Sequence, residues 1–130
     1  SEVDKMEIRE SAEDYLERIL MLNKSMGQVR AVDIANLMNF SKPSVSIALK
    51  KLRQNGYVNI DGGGYITLTE SGLEIAERVF ERHRLISQLL LALGVDEQTA
   101  KEDACRVEPD MSVESFEAIK EYCRKNLQIQ

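Results

Sequence analysis

The sequence has no tryptophan, one histidine, two cysteines and two prolines in 130 residues, and only 5% of it is aromatic. Two cysteines, Cys105 and Cys123, are too few for a disulfide framework, so a reducing cytoplasm is the expected compartment. One histidine leaves little for acid–base or nucleophilic chemistry. His83 falls in the middle of a helical pattern, and Gly62-Gly63-Gly64 sits in a hairpin pattern rather than before a helix, where a phosphate loop belongs. No enzyme is expected. The longest apolar run, Leu89 to Leu93, is far short of the roughly 20 residues that cross a bilayer. The opening Ser1-Glu2-Val3-Asp4 is acidic and lacks the apolar stretch of a signal peptide, so no membrane partner is expected. Internal repeats, low-complexity stretches and flexible linkers are also lacking.

What remains is an ordinary globular composition, 43% hydrophobic and 30% charged. A chain of this length buries roughly two-thirds of its unfolded surface and folds without staples. The net charge of −5 argues, as a total, against a nucleic-acid partner. Its distribution reverses that argument. Residues 28–60 hold five bases (Arg30, Lys42, Lys50, Lys51, Arg53) and one acid, Asp33, a net +4. The flanks are net −3 over residues 1–27 and −6 over residues 61–130. A basic island thus lies between two acidic arms.

Periodicity places that island on structure. Ser11 and Asp14 have the spacing of a helix start, followed by Ala12, Tyr15, Leu16, Ile19, Leu22 and Met26 at helical intervals up to Gly27. A short helix fits Val32 to Met38. A third begins at Ser41 or Lys42, tolerates Pro43 in its first turn, buries Val45, Ala48, Leu49 and Leu52, and ends at Asn55-Gly56. Tyr57–Ile60 and Tyr65–Leu68 alternate as two strands, and Asp61-Gly62 is expected to supply the positive φ of a tight turn. Ser71 and Glu74 look like a second capping box opening a long helix with Ile75, Val79, Ile86, Leu90 and Leu93 on one stripe. Asp96 and Ser112 cap two more helices, with Pro109 between them. The expected fold is mainly α: a winged helix-turn-helix domain over residues 1–72, then an α-helical domain over residues 73–130. Leu85 and Leu89-Leu90-Leu91 are more leucine than so small a half is expected to cover, which points to self-association as a homodimer.

In a helix-turn-helix the second helix enters the major groove by its N-terminal end. Here that end reads Ser41-Lys42-Pro43-Ser44-Val45-Ser46. Ser41, Ser44 and Ser46 are small enough for close backbone approach, and their hydroxyls suit base edges or phosphates. Arg30, Lys42, Lys50 and Lys51 suit phosphates. Double-stranded operator DNA is the expected partner. Ser41 acting only as a cap, or a winged helix used for protein contact, are the alternatives.

Asp14 and Glu17 lie three apart on one helix, Cys105 and Glu108 three apart on another, and His83 on a third. Each has an ordinary structural reading as cap, surface acid or core residue. Together they are five residues of metal-ligand type on three helices, a mixture suited to Mn²⁺, Fe²⁺, Co²⁺ or Zn²⁺.

Six separated stretches resemble the diphtheria-toxin-repressor family of metal-dependent regulators: Glu13-Asp14-Tyr15-Leu16-Glu17-Arg18-Ile19, Val32-Asp33-Ile34-Ala35, Pro43-Ser44-Val45-Ser46, Leu68-Thr69-Glu70-Ser71-Gly72, Arg82-His83-Arg84-Leu85 and Asp103-Ala104-Cys105-Arg106-Val107-Glu108. The resemblance implies a cytoplasmic homodimer that binds operator DNA when loaded with Mn²⁺ or Fe²⁺, as a regulator of metal homeostasis. It also implies the shorter, manganese-transport-regulator branch without an SH3-like domain. By that resemblance Asp14, Glu17 and His83 match the manganese branch, Cys105 matches the iron branch, and Glu108 matches both. The family carries a ligand histidine after the glutamate where this chain has Pro109, and Asp110 one step further is the candidate replacement. A metal-independent winged-helix regulator with a degenerate metal site is the alternative reading.

Overall fold

The computed structural model describes residues 2–129, with side chains from Ala12 to Ile129. Contacts divide the chain into two compact units, Ser1–Glu77 and Arg78–Gln130.

The N-terminal unit begins with α1 (Glu2–Met26), which buries Tyr15, Leu16, Ile19 and Leu20. α1 starts well before Ser11, so Ser11 lies inside the helix and is not its cap; its side chain lies outside the described residues. The spacing to Asp14 had the form of a box, but helical sequence continues upstream of it. α2 (Ala31–Met38) and α3 (Lys42–Gln54) follow, joined through Asn39 in the left-handed region at φ 56°, which asparagine tolerates better than most residues. Ile34 and Ala35 of α2 and Val45, Leu49 and Leu52 of α3 complete the core behind α1. The rings of Tyr15 and Phe40, 6.0 Å apart, hold α1 to the turn between α2 and α3.

β1 (Val58–Ile60) and β2 (Ile66–Leu68) form an antiparallel ribbon, with Val58 opposite Leu68 and Ile60 opposite Ile66. Val58 and Ile66 are buried and Asn59 and Thr67 exposed, as the alternation predicts. Ile66 N–H donates to the Val29 carbonyl at 2.7 Å, tying the ribbon to the segment before α2. The positive φ expected at Asp61-Gly62 falls instead at Gly64, at 82°. The Asp61 carboxylate accepts from the N–H groups of Gly63 and Tyr65, both at 2.9 Å, so the side chain shapes the loop.

α4 (Glu70–Ala92) is capped by Thr69, not by Ser71. Thr69 Oγ1 accepts the Gly72 N–H at 3.2 Å and donates to the Gly56 carbonyl at 2.6 Å. Ser71 lies in the first turn and donates to that same carbonyl. Two hydroxyls fit the local capping pattern; the Thr69 N–H donates to the Tyr57 carbonyl at 3.1 Å, which holds Thr69 just outside the helix in the cap position. Gly72 is required here by space. A Cβ on it would stand 2.0 Å from the Tyr57 carbonyl oxygen, which itself accepts the Thr69 N–H.

The C-terminal unit comprises the rest of α4, α5 (Glu97–Val107), a 3-10 turn at Glu108–Asp110, and α6 (Val113–Tyr122), which runs on as a π-helical turn through Leu127. Asp96 and Ser112 cap α5 and α6 as expected, accepting from Thr99 N–H and Ser115 N–H at 3.1 Å each. The Thr99 hydrogen bonds hold the Asp96 carboxyl below the usual carboxylate range. Leu85 is not part of an exposed leucine patch. It is fully buried with Phe116 and Cys123, under Leu89, Met111, Ile119 and Leu127, because α6 folds back over this turn of α4. Burial pushes the Cys123 thiol pKa up. Leu93, Val107, Val113 and Tyr122 are the exposed large apolar side chains among the described residues of this unit.

Gly72→Ala should destabilise the protein by about 1–3 kcal/mol, the usual cost of forcing extra atoms into a packed site. Urea denaturation checks this, and a variant as stable as the parent would contradict the contact. Ser71→Ala should cost much less than Thr69→Ala.

Candidate functional site

α3 carries four bases, Lys42, Lys50, Lys51 and Arg53, and no acid. Its core residues Val45, Leu49 and Leu52 turn the rest of the helix outward, and Ser41, Lys42, Pro43, Ser44, Ser46, Lys50 and Lys51 are all exposed. Ser41 does cap the helix, accepting the Ser44 N–H at 3.3 Å and bonding the Ser44 hydroxyl at 2.8 Å. The cap fixes where the helix begins and therefore where Lys42 and Ser44 stand. Arg30 is placed differently. Its guanidinium lies 4.5 Å from the Tyr65 ring centroid and donates to the Tyr65 hydroxyl at 3.2 Å. Arg30 therefore braces the ribbon against the start of α2, while its backbone N–H donates to the Asp33 carboxylate at 2.9 Å. Ile47, passed over in the sequence, is exposed on α3 among these residues. Its apolar character hid it in a search for polar contacts.

On α1, Asp14 and Glu17 bring carboxylate oxygens within 4.8 Å of each other, as the three-residue spacing predicts. Asp14 is partly exposed and Glu17 is buried, 2% exposed. Arg18 donates to Glu17 Oε1 at 2.7 Å. Pairing of this kind offsets the cost of withdrawing a carboxylate from water.

In the C-terminal unit His83 Nε2 lies 3.9 Å from Glu108 Oε2. Glu108 is 3% exposed, on the first residue of the 3-10 turn. The turn exists because Pro109 follows. Proline has no N–H and ends α5 at Val107. Cys105 is half-buried one turn earlier on α5, and Asp110 is exposed at the far end of the turn. The structure thus joins His83 with Glu108 and leaves Asp110 facing water.

Arg82 is the residue of this site that the sequence did not single out. It is buried, and its Nη1 is 3.9 Å from Glu108 Oε1. The same nitrogen donates to the Glu108 carbonyl at 3.4 Å and the Met111 carbonyl at 3.1 Å. Its guanidinium carbon lies 5.1 Å from the Phe116 ring centroid. One cation therefore donates to two carbonyls of the turn at Pro109 and faces the buried carboxylate. Only its adjacence to His83 in a charged run signals it in sequence. These are oxygen-rich, partly buried donors with one imidazole and one thiol, which fits a first-row divalent cation.

The chain matches two family models in order. One, described as the iron dependent repressor N-terminal DNA binding domain, covers residues 7–64. The other, the iron dependent repressor metal binding and dimerisation domain, covers residues 69–126. An uncharacterised HTH-type transcriptional regulator of Methanocaldococcus jannaschii is 39% identical over 118 residues, 89% of this chain and 94% of that protein. The transcriptional regulator MntR of Escherichia coli O6:H1 is 33% identical over 91% of this chain and 76% of its own length. Among solved structures, the manganese regulator SloR superposes with a TM-score of 0.77 at 29% identity, over 87% of this chain. This chain spans about half of that protein, 53% of its length. No helix among the described residues is long and apolar enough to cross a membrane.

Arg82→Met should lower stability by about 3–5 kcal/mol in chelator, because it removes the guanidinium that faces a buried carboxylate. Adding Glu108→Gln to that variant should recover part of the loss. Strictly additive losses in urea melts of the four proteins would show that the two side chains do not interact.

Proposed function

This chain belongs to the family of iron-dependent repressors, and on that premise we propose that it is a metal-dependent transcriptional regulator, a repressor that binds operator DNA as a homodimer when loaded with Mn²⁺ or Fe²⁺ and so controls metal homeostasis. Residues 1–72 act as the DNA-binding domain and residues 73–130 as the metal-binding and dimerisation domain. The protein works by binding rather than catalysis, in the cytoplasm, with no membrane partner. The observation that carries the reading is α3: four bases and no acid, around an exposed serine-rich N-terminus, in a chain of net charge −5.

Lys42, Lys50 and Lys51 neutralise phosphates, while Ser41, Pro43, Ser44 and Ser46 allow the helix start to lie close to base edges. Arg30 steadies the ribbon and adds positive charge beside the same groove. In a dimer, two such helices serve half-sites about one helical turn apart, roughly 34 Å. The ligand set is Asp14, Glu17, His83, Cys105 and Glu108, with Asp110 as a further candidate. When bound, the cation supplies positive charge to carboxylates that otherwise repel one another. Zn²⁺ and Co²⁺ suit the thiol of Cys105, whereas Mn²⁺ and Fe²⁺ suit the carboxylates and imidazole. Coupling of about 1–3 kcal/mol between metal and DNA is typical of such switches, and linkage requires each to tighten the other equally.

Arg82 favours a second reading. A guanidinium 3.9 Å from Glu108 already faces that carboxylate with a cation. In that reading the protein is a metal-independent winged-helix regulator with a degenerate metal site, and Mn²⁺ would leave its melting temperature unchanged.

Gel shifts on a duplex selected from a random pool separate the two. Mn²⁺ or Fe²⁺ should tighten binding by several-fold to a hundredfold over chelator; equal affinity in both would sink the metal switch and leave DNA binding standing. Lys50→Ala should weaken binding across sequences and reduce the slope of log affinity against log salt by about one. Metal should also slow alkylation of Cys105, and an unchanged rate would remove it from the ligand set.

A further inference from the structure

We infer that Ile47 is a specificity-determining residue of α3, reading the 5-methyl group of thymine in the major groove; this rests on the DNA-binding role proposed above. Val45, Leu49 and Leu52 are the buried residues of α3. At 100° per residue, the line opposite them runs through Pro43, Ile47, Lys50 and Gln54. All four are exposed. Ile47 lies near the centre of that outward line, where a helix in the major groove meets base edges.

Its chemistry does not suit a bare surface. Ile47 is 59% exposed, more than Met26, Val32, Leu37 or Phe40, the other large apolar side chains bared between Ala12 and Gly72. It contributes little to the core, and a β-branched side chain gives up helix propensity at an exposed position. Its exposed neighbours on α3 are Ser44, Ser46, Lys50 and Lys51, and on the Ser44 side it borders a groove lined by Phe40, Ala48 and Tyr57, so it stands as an apolar point at the edge of a polar, basic field. That field attracts phosphate but carries no base preference.

The major groove offers one apolar group among its base edges, the thymine methyl; the rest are hydrogen-bond donors and acceptors. Isoleucine cannot satisfy a donor such as the cytosine or adenine amino group, so seating it there strips water from that group without replacement. Against a methyl group it gains by burial. The serines and lysines position the helix, and Ile47 discriminates.

The test uses the full chain loaded with Mn²⁺ and a duplex recovered by selection from a random pool. Thymine should be fixed at one or more positions of each half-site. Replacing it by deoxyuridine removes only the methyl group and should weaken binding roughly three- to five-fold, the value of one buried methyl. Ile47→Ala should bind the thymine duplex more weakly and lose most of its response to deoxyuridine. Its salt dependence should be unchanged, since no phosphate contact is lost, and its melting temperature should stay within a degree or two because the side chain is exposed. Retention by Ile47→Ala of both the selected sequence and the full deoxyuridine penalty would overturn the inference while leaving DNA binding intact. If the parent chain recovers no duplex with or without metal, the DNA-binding role itself fails and Ile47 falls with it.

Discussion

Burial of negative charge is the constraint around which this chain is organised. Glu17 and Glu108 are withdrawn from water almost completely, and an ionised carboxylate does not stay there uncompensated. Each unit supplies a local answer. Arg18 donates to Glu17, and Arg82 and His83 face Glu108 from α4. These answers are of different quality. The Arg18 contact is a short, charge-assisted hydrogen bond at a partly exposed side chain. The Arg82 contact is longer, and its nitrogen is already engaged by two carbonyls. The carboxylate that Arg82 and His83 face is also one of the proposed metal ligands.

Arg82 also shows how a local sequence break becomes a tertiary requirement. Pro109 ends α5, and carbonyls of the turn that follows accept side-chain donors from α4. Arg82 provides them at Glu108 and Met111 while lying over Phe116, whose ring closes the cluster of Leu85 and Cys123. The position of Glu108, and hence of any ligand it provides, is inseparable from the packing of α6.

The surface proposed to face DNA is built on the opposite logic. Its working residues are exposed, and the structure serves them by keeping the helix that carries them in place. The Ser41 cap sets the start of α3, its three buried aliphatics set the rotation, and the Tyr15–Phe40 contact and the Arg30–Tyr65 brace hold the neighbouring turns. A helix fixed in start and rotation, with serines, lysines and Ile47 exposed on its outer side, suits a groove read partly through phosphates.

The sequence by itself determined what depends on neighbours within a turn or a strand: the caps at Ser41, Asp96 and Ser112, the alternation of β1 and β2, the break at Pro109, the basic run on α3 and the pairing of Asp14 with Glu17. These follow from backbone chemistry and side-chain spacing, and they sufficed for a mainly α, winged-helix reading. Only the tertiary structure decided among locally equivalent options. Thr69 rather than Ser71 caps α4 because the Tyr57 carbonyl holds the Thr69 N–H outside the helix; Gly72 is obligatory because the Tyr57 backbone lies against it; Leu85 is covered because α6 returns over it. It also turned Arg82 inward beside Glu108 and left Ile47 standing in water. Spacing along a chain specifies which residues share a face, but whether that face meets water, a carbonyl or another side chain is settled by segments far away in sequence.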